Sequence, residues 1–481
     1  MSLDSFIQQA LSQQPIKGRW VIAYSGGLDS TVLLHMVAKA NQQIATPKII
    51  VALHVNHQLS TYANEWESHC QQIAEALAVD WVSERVDVSV SGKGIEAAAR
   101  KARYRVFESF LVQDDTLLMA HHANDQAETF LLRLMRGAGV LGLSAMRSER
   151  RLGAAKLCRP LLDIGREALE AYAGDNNLSW VEDDSNAELD FDRNFLRHKV
   201  IPIFLSRWPQ AVKQLCATSS RLDEAQHLLN DLAIIDLQAL DERSERYGHS
   251  ITYKKCATLS PRRITNVLRY WCEQKGFARP SGDQLAQIHL QFFSMKAQLS
   301  SAIVAWADCE CRQFNGRFYL MPLLKKFTPS NNIVVSIDVG EEKNIKLGVV
   351  GELTIDRASF NNVIFNTKKL SVRWRQGGER CTPIDRAHSQ TVKKLLQEYQ
   401  LETWLRDRVP LIYYGDQLIA VGDLWLCKEV SNYIDIGNSK DAFLDDNIVE
   451  NSDNKKPSAK TDANKVATKI VAKDLFVWSV K

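Results

Sequence analysis

Tyr24-Ser25-Gly26-Gly27-Leu28-Asp29-Ser30 decides how this chain folds. The apolar run Trp20-Val21-Ile22-Ala23 precedes it, and the helix-compatible run Thr31 to Val37 follows. The order is strand, tight glycine turn, helix N-terminus. Such a turn aims several backbone N–H groups at one point, and the helix dipole adds positive potential there. Glycine permits positive φ and close approach of an anion. Ser25 and Ser30 add hydroxyl donors. The lysine of the G-x-x-x-x-G-K-[ST] triphosphate loop is missing, so this is a different device. Hydroxyls and amides that grip phosphates, with Asp29 beside them, suit Mg-ATP held for cleavage at its α-phosphate. Ser-Gly-Gly alone would fit an ordinary glycine-rich βα turn equally well.

Working outward, apolar strands alternate with helical stretches. Lys48 to Val55 is a near-continuous apolar run of the buried parallel-strand kind. Glu65 to Leu77 reads as a helix, Trp81 to Val86 as a strand, Ile95 to Val112 as a helix, and Thr116 to Ala120 as a strand. This alternation predicts an α/β fold with a doubly wound parallel sheet, in which ligands sit at the carboxyl ends of strands. The pattern changes near Pro209. Residues 211–330 read as a mainly helical domain ending in short strands at Ile303 to Leu320, and 331–369 as a connector. Residues 370–446 read as a small α/β domain, with a helix from Val392 to Tyr399. Residues 447–481 read as a polar linker and tail, whose end, Leu475 to Val480, is expected to add a strand. The first domain spans 1–210.

The 481 residues exceed one compact core, and about 150 residues per domain gives two to four domains. Sixty Lys and Arg stand against 57 Asp and Glu, a net charge of +3. Overall charge therefore announces no nucleic-acid partner, and any basic surface must be local. The nine cysteines form no paired framework. With no apolar stretch near 18 residues and no signal-like N-terminus, a reducing cytoplasm is the expected compartment. Cys309 and Cys311 read as two residues on one face of a strand rather than a metal site.

Three segments are expected to converge on the glycine turn. His54-Val55-Asn56-His57 follows the second strand and could offer main-chain groups to an adenine edge. In His121-His122-Ala123-Asn124-Asp125-Gln126-Ala127-Glu128-Thr129, helical spacing puts His121, Asp125 and Glu128 on one face. Two carboxylates and an imidazole beside a triphosphate can hold Mg²⁺, bind a substrate ammonium, or take its proton. A zinc site would lack ligands, because no cysteine is near. Arg100 and Arg103 share a helix face, where they are either a solvated pair or a clamp on developing negative charge.

The ordered set Ser-Gly-Gly-x-Asp-Ser, His-x-Asn-His, Ala-Arg-x-x-Arg-Tyr and His-His-x-x-Asp-Gln-x-Glu-Thr resembles the tRNA(Ile)-lysidine synthase family. The loop itself resembles the pyrophosphate loop of N-type ATP pyrophosphatases. Arg136-Gly137-Ala138-Gly139, Arg159-Pro160-Leu161, Trp180 to Asn186 and Arg193-Asn194-Phe195-Leu196-Arg197 extend the likeness. So do Trp374 to Arg380, Lys393 to Leu396 and Trp404 to Pro410. Departures are Ser60, where the family often has Arg, Asp184 in place of a common Pro, and the tail from Asn447.

The resemblance implies a PP-loop, Rossmann-like catalytic domain, a helical middle domain and a C-terminal domain that grip tRNA. It implies a ligase that adenylates O2 of the wobble cytidine of isoleucine tRNA with anticodon CAU, then joins free L-lysine at C2. ATP would lie on Ser25, Gly26, Gly27, Leu28, Asp29, Ser30 and His54. Lysine would lie on Asp29, Asp125, Gln126 and Glu128, and Mg²⁺ on Asp29 and Asp125. His121 and Arg103 would assist the chemistry. Arg197, Arg262, Arg263, Lys393 and Lys394 would meet tRNA phosphates. A homodimer is admissible. The rivals are a tRNA thiolase, which needs cysteines at the loop, and a non-catalytic tRNA-binding relative.

Overall fold

The computed structural model describes residues 3–15, 17–88, 95–182, 188–294, 302–328, 333–336, 343–355, 369–432 and 476–480. The chain forms two compact units that divide between Leu229 and Asn230.

The first unit runs α1 (Leu3–Ser12), β1 (Trp20–Ala23), α2 (Leu28–Asn41), β2 (Ile50–Asn56), α3 (Ala63–Ala76), β3 (Asp80–Arg85), α4 (Ile95–Phe110), β4 (Thr116–Leu118) and α5 (Ala123–Met135). It continues through α6 (Val140–Leu143), β5 (Glu149–Leu152), β6 (Ala155–Cys158), α7 (Arg166–Asp175), α8 (Asp192–Phe195), a π-turn at Leu196–Val200, α9 (Ile201–Arg207) and the start of α10 (Ala211–Ala239). Its sheet has the order β3-β2-β1-β4-β6-β5, parallel except where β5 pairs with β6. Period-two alternation in β1 explains why both faces are covered. Trp20 and Ile22 enter a core with Ile7, Val32, Leu33 and Leu169, whereas Val21 enters one with Val51, Phe107 and Leu117. Each fully buried aliphatic side chain contributes about 1.5–3 kcal/mol. From β1 the chain winds outward through β2 and β3, then returns to β4 on the other side of β1. The carboxyl ends of β1 and β4 therefore flank the switch point where open α/β sheets bind ligands.

The second unit contains two further sheets of five strands. In the first, β7 (Arg243–Ser244), β8 (His249–Thr252), β9 (Ile303–Trp306), β10 (Cys309–Phe314) and β11 (Arg317–Pro322) take the order β7-β8-β11-β10-β9. The helices α11 (Tyr253–Ala257), α12 (Pro261–Gln274) and α13 (Gly282–Ile288) accompany it. Ile264, Val267, Leu268 and Trp271 of α12 repeat at i, i+3, i+4 and i+7 and are buried in the core under this sheet. The short strands expected at Ile303 to Leu320 are β9, β10 and β11, and β7 and β8 extend them into an antiparallel sheet. Cys309 and Cys311 do share the buried face of β10 as free thiols, and no metal-binding cluster exists among the described residues.

The stretch read as a connector contributes β12 (Ile333–Ser336), β13 (Lys343–Lys346) and β14 (Glu352–Ile355). β12 joins β15 (Lys369–Arg373), β18 (Leu411–Tyr414), β19 (Gln417–Val421) and β20 (Trp425–Leu426) in an antiparallel sheet. Beside it lie the two-stranded pair β16 (Arg380–Cys381) and β17 (Gln390–Thr391), and α14 (Val392–Glu398). β13, β14 and β21 (Phe476–Ser479) form a third sheet, in which Leu353 faces Trp478. Trp478 is 2% exposed, and its Nε1–H donates to Val350 O at 3.2 Å. The tail strand anticipated from the sequence docks here. The polar linker before it lies outside the described residues.

Candidate active site

The glycine turn is poised by the end of β1. The Tyr24 N–H donates to Leu53 O at 2.9 Å, carrying the β1–β2 ladder one residue further. The chain then turns through Gly26 at φ +85°, a conformation that strains any L side chain. A Cβ there would also lie 2.5 Å from the Sγ of Cys70 on α3. Gly26 O accepts from Val181 N–H at 2.9 Å and from the Thr31 hydroxyl at 3.3 Å. The Ser30 hydroxyl donates to Gly27 O at 3.0 Å, accepts from Ser25 N–H at 3.3 Å, and lies 3.1 Å from the Ser25 hydroxyl. Gly27 is the N-cap of α2 and supplies no side-chain cap. Orphan N–H groups at such a helix start form an anion site. Asp29 stands in the first turn of α2, with Oδ1 buried and without a hydrogen-bond partner.

The His54 Nδ1–H donates to Tyr24 O at 3.0 Å, and its ring stacks on Trp81 with centroids 5.6 Å apart. This residue, expected on ATP, thus braces the start of the loop with its ring. His57 Nε2 receives Arg103 at 3.3–3.4 Å. Burial, with Arg103 and His54 nearby, pushes the His57 pKa down to about 4. Arg103 is therefore engaged with an imidazole.

Opposite the loop, α5 begins beyond β4. His122 is its N-cap, with Nδ1 accepting Asn124 N–H at 3.2 Å. Asp125 Oδ2 reciprocates by accepting His122 N–H at 3.1 Å, which closes a capping box. The other nitrogen, His122 Nε2, lies 3.5 Å from Asp29 Oδ2 and 3.6 Å from Asp125 Oδ2. One imidazole thereby links the carboxylate of the phosphate loop to the carboxylate of α5. Burial would lower the His122 pKa, but Asp29 and Asp125 overcome it and raise it. With Nδ1 accepting the cap, the neutral ring carries its proton on Nε2, facing the two carboxylates. Burial would raise the Asp125 carboxyl, yet His122, Arg193, His121 and Arg197 hold it below its ordinary value.

Glu128 is fully buried. Its Oε2 accepts from Arg193 Nε at 2.8 Å and its Oε1 from Arg197 Nε at 2.7 Å. Arg197 Nη2 also reaches Glu128 Oε2 at 3.1 Å and Asp125 Oδ1 at 3.2 Å. Arg193 and Arg197 are four residues apart across the α8 π-turn, so they share one face. His121 lies just before the cap, its Nδ1 accepting from Arg159 Nε at 3.3 Å. Burial pushes its pKa down to about 3; Asp125 opposes the shift, and Arg159, Arg193 and Arg100 add to it.

The structure thus gathers Asp29, Asp125 and Glu128, and brings in His122, Arg159 and Arg193, which stood in the quoted motifs without an assigned role. The i, i+4 spacing of Arg193 and Arg197 was a further signal for that pair. His122 was concealed because histidine is not a usual N-cap. Gln126, expected on lysine, has its amide engaged with other partners. Its Nε2 donates to Met146 O at 2.9 Å and Ser219 Oγ at 3.2 Å, and its Oε1 accepts from Met146 N at 2.8 Å. Its neighbours on the helix face the carboxylate cluster, but a position one residue on from Asp125 points elsewhere. Arg197, expected on tRNA, is held by the carboxylates. Arg263 is paired with Asp236 through Nε at 3.0 Å. Lys394 lies 3.8 Å from Glu398, and Arg262 and Lys393 are exposed. Asp183 to Asn186 of the Trp180 motif lie outside the described residues.

An uncapped glycine loop at the switch point of a parallel sheet, faced by a carboxylate-rich helix start, defines a PP-loop enzyme that uses ATP. A family model described as a PP-loop domain matches residues 2–204. Models described as the TilS substrate binding domain and the TilS substrate C-terminal domain match 255–319 and 370–435. The tRNA(Ile)-lysidine synthase of Coxiella burnetii is 44% identical over 411 residues, covering 85% of this chain and 89% of the relative. That of Serratia proteamaculans is 39% identical over 402 residues, with 83% and 89% covered. That of Pseudomonas fluorescens is 39% identical over 412 residues, with 84% and 89% covered. The chain belongs to the tRNA(Ile)-lysidine synthase family and is a tRNA-modifying ligase.

Proposed function

We propose that this enzyme adenylates O2 of the wobble cytidine of isoleucine tRNA with anticodon CAU, then joins free L-lysine at C2 to form lysidine. The observation that carries the reading is the Asp29–His122–Asp125 bridge at 3.5 and 3.6 Å, which couples the ATP loop to the carboxylate cluster. O2 attacks the α-phosphorus and pyrophosphate leaves. The lysine ε-amine then attacks C2, and O2 departs with AMP. The loop amides and the Ser25 and Ser30 hydroxyls bind and orient the phosphates. The unpartnered Asp29 Oδ1 is the kind of oxygen Mg²⁺ takes, and Mg²⁺ usually binds one or two carboxylates plus phosphate. Asp29 and Asp125 would hold it, and it would neutralise charge on the phosphates.

The lysine ammonium is matched to Asp125 and Glu128. These oxygens already carry guanidinium hydrogens, so lysine must exchange with Arg193 and Arg197 rather than enter empty space. A charged ammonium is not a nucleophile, so a carboxylate of this cluster takes its proton before attack. The C-terminal basic residues Lys393 and Lys394 fit phosphate contacts to tRNA. We place the reaction in the cytoplasm, with a homodimer as an assembly that sedimentation would test. A thiolase reading is disfavoured by the cysteines. Cys70 and Cys158 are buried, and burial pushes their thiols up to about 12 and about 11.

The test is transfer of radiolabelled lysine to isoleucine tRNA with a CAU anticodon, with and without ATP. ATP-dependent label at the wobble cytidine is expected. AMP and pyrophosphate formed on tRNA without lysine transfer would demand another nucleophile.

A further inference from the structure

We propose that Arg159 is a positioning residue that fixes His121 as a neutral hydrogen-bond donor toward an anionic phosphoryl oxygen, so that His121 is not the proton acceptor of the reaction. This rests on the reading that ATP reacts at this crevice. Arg159 is 5% exposed. Its Nε–H donates to His121 Nδ1 at 3.3 Å, and its Nη1–H donates to Arg147 O at 2.6 Å. Two anchors and burial fix the guanidinium plane. A guanidinium keeps its protons, so the nitrogen facing Nε–H must offer a lone pair. The single proton of the ring is then on Nε2. Turning the ring over would set a C–H against the guanidinium N–H. A second proton on Nδ1 would bring two donors head to head. The depressed His121 pKa agrees with both arguments.

His121 follows the end of β4, and β4 is the sheet neighbour of β1, which carries the phosphate loop. The charges acting on His121 are Asp125, the largest, and the three guanidinium groups of Arg159, Arg193 and Arg100. A neutral N–H in that field stabilises developing negative charge without surrendering a proton. His121 therefore presents Nε2–H, and the proton lost by lysine passes to a carboxylate.

The full-length enzyme labelled with ¹⁵N-histidine tests this by long-range ¹H–¹⁵N spectra, with His121 assigned by its loss in His121→Gln. The wild type is expected to show the Nε2–H tautomer at neutral pH, and Arg159→Met a tautomer mixture. An Nδ1–H or imidazolium His121 in the wild type would overturn the proposal. In lysine transfer, His121→Gln keeps a donor and should stay within about tenfold of wild type, whereas His121→Ala loses about 10²–10³. Equal loss in both would mean that the ring accepts a proton. Arg159→Met should lower kcat with the KM for tRNA unchanged, and wild-type kcat would remove its positioning role. If the wild type transfers no lysine, the proposed function fails, while the tautomer spectrum still decides this inference.

Discussion

The phosphate loop and the carboxylate cluster face the same crevice on opposite plans. The loop is built from backbone amides and two hydroxyls, and its one carboxylate, Asp29, keeps Oδ1 unpartnered. The cluster is saturated, since Asp125 and Glu128 already hold Arg193 and Arg197. An anion can enter the first without displacing a side chain. A cation can enter the second only by competing with two guanidinium groups. The two halves of the proposed reaction thus differ in what binding must rearrange, and four experiments probe that contrast.

The largest effect is expected from Asp125→Ala. Lysine transfer should fall by about 10³-fold, within the range for a lost general base, and by much more than ATP affinity, from which one of two Mg²⁺ carboxylates is removed. Equal loss of ATP binding, read by calorimetry, would erase the distinction between the halves. Next is Glu128→Gln, which removes the buried carboxylate from two partly buried guanidinium groups. Breaking a buried ion network costs about 3–5 kcal/mol, so the urea midpoint should drop markedly. An unchanged midpoint would mean that the arginines are readily solvated and that lysine entry is easy.

Gly26→Ala should weaken ATP by an amount matching about 1–3 kcal/mol of backbone strain. Adding Cys70→Ala removes the clash with Sγ but leaves φ at +85°. Partial rescue is expected, and full rescue would assign the loop shape to packing alone. The smallest effect concerns pH. The folded-state pKa of His57 is lowered from 6.5 to about 4, so between these values the unfolded chain binds more protons. Its contribution is present above about 6.5 and is lost as pH falls toward about 4. His57→Gln should flatten the decline of the denaturation midpoint between pH 7 and 5.

The doubly wound sheet and the loop were legible because β1 is a short apolar run against a glycine turn, and both signals are local. Asp29, Asp125 and Glu128 could be chosen from helical spacing. The roles of Arg193 and Arg159 could not, since their partners lie far away in sequence. Choosing between His121 and His122 required knowing where α5 starts, a boundary that capping decides. Gln126 shows the limit of motif reasoning, because its neighbours face the carboxylate cluster while its amide holds Met146. Of the antiparallel sheet under α12, β9, β10 and β11 were legible as short strands, while β7 and β8 were obscured by the helical periodicity around them. β12, β13 and β14 were obscured by their polar setting and by β21, a partner strand far downstream.

That distant pairing has a consequence for biosynthesis. β14 pairs with β13 on one edge and β21 on the other. Chains emerge at about 5–20 residues per second, so β14 leaves the ribosome several seconds before β21 exists. Until then its edge is an open template for pairing with another chain. The nascent protein is most prone to associate wrongly in that interval, and the arrival of Trp478 ends it.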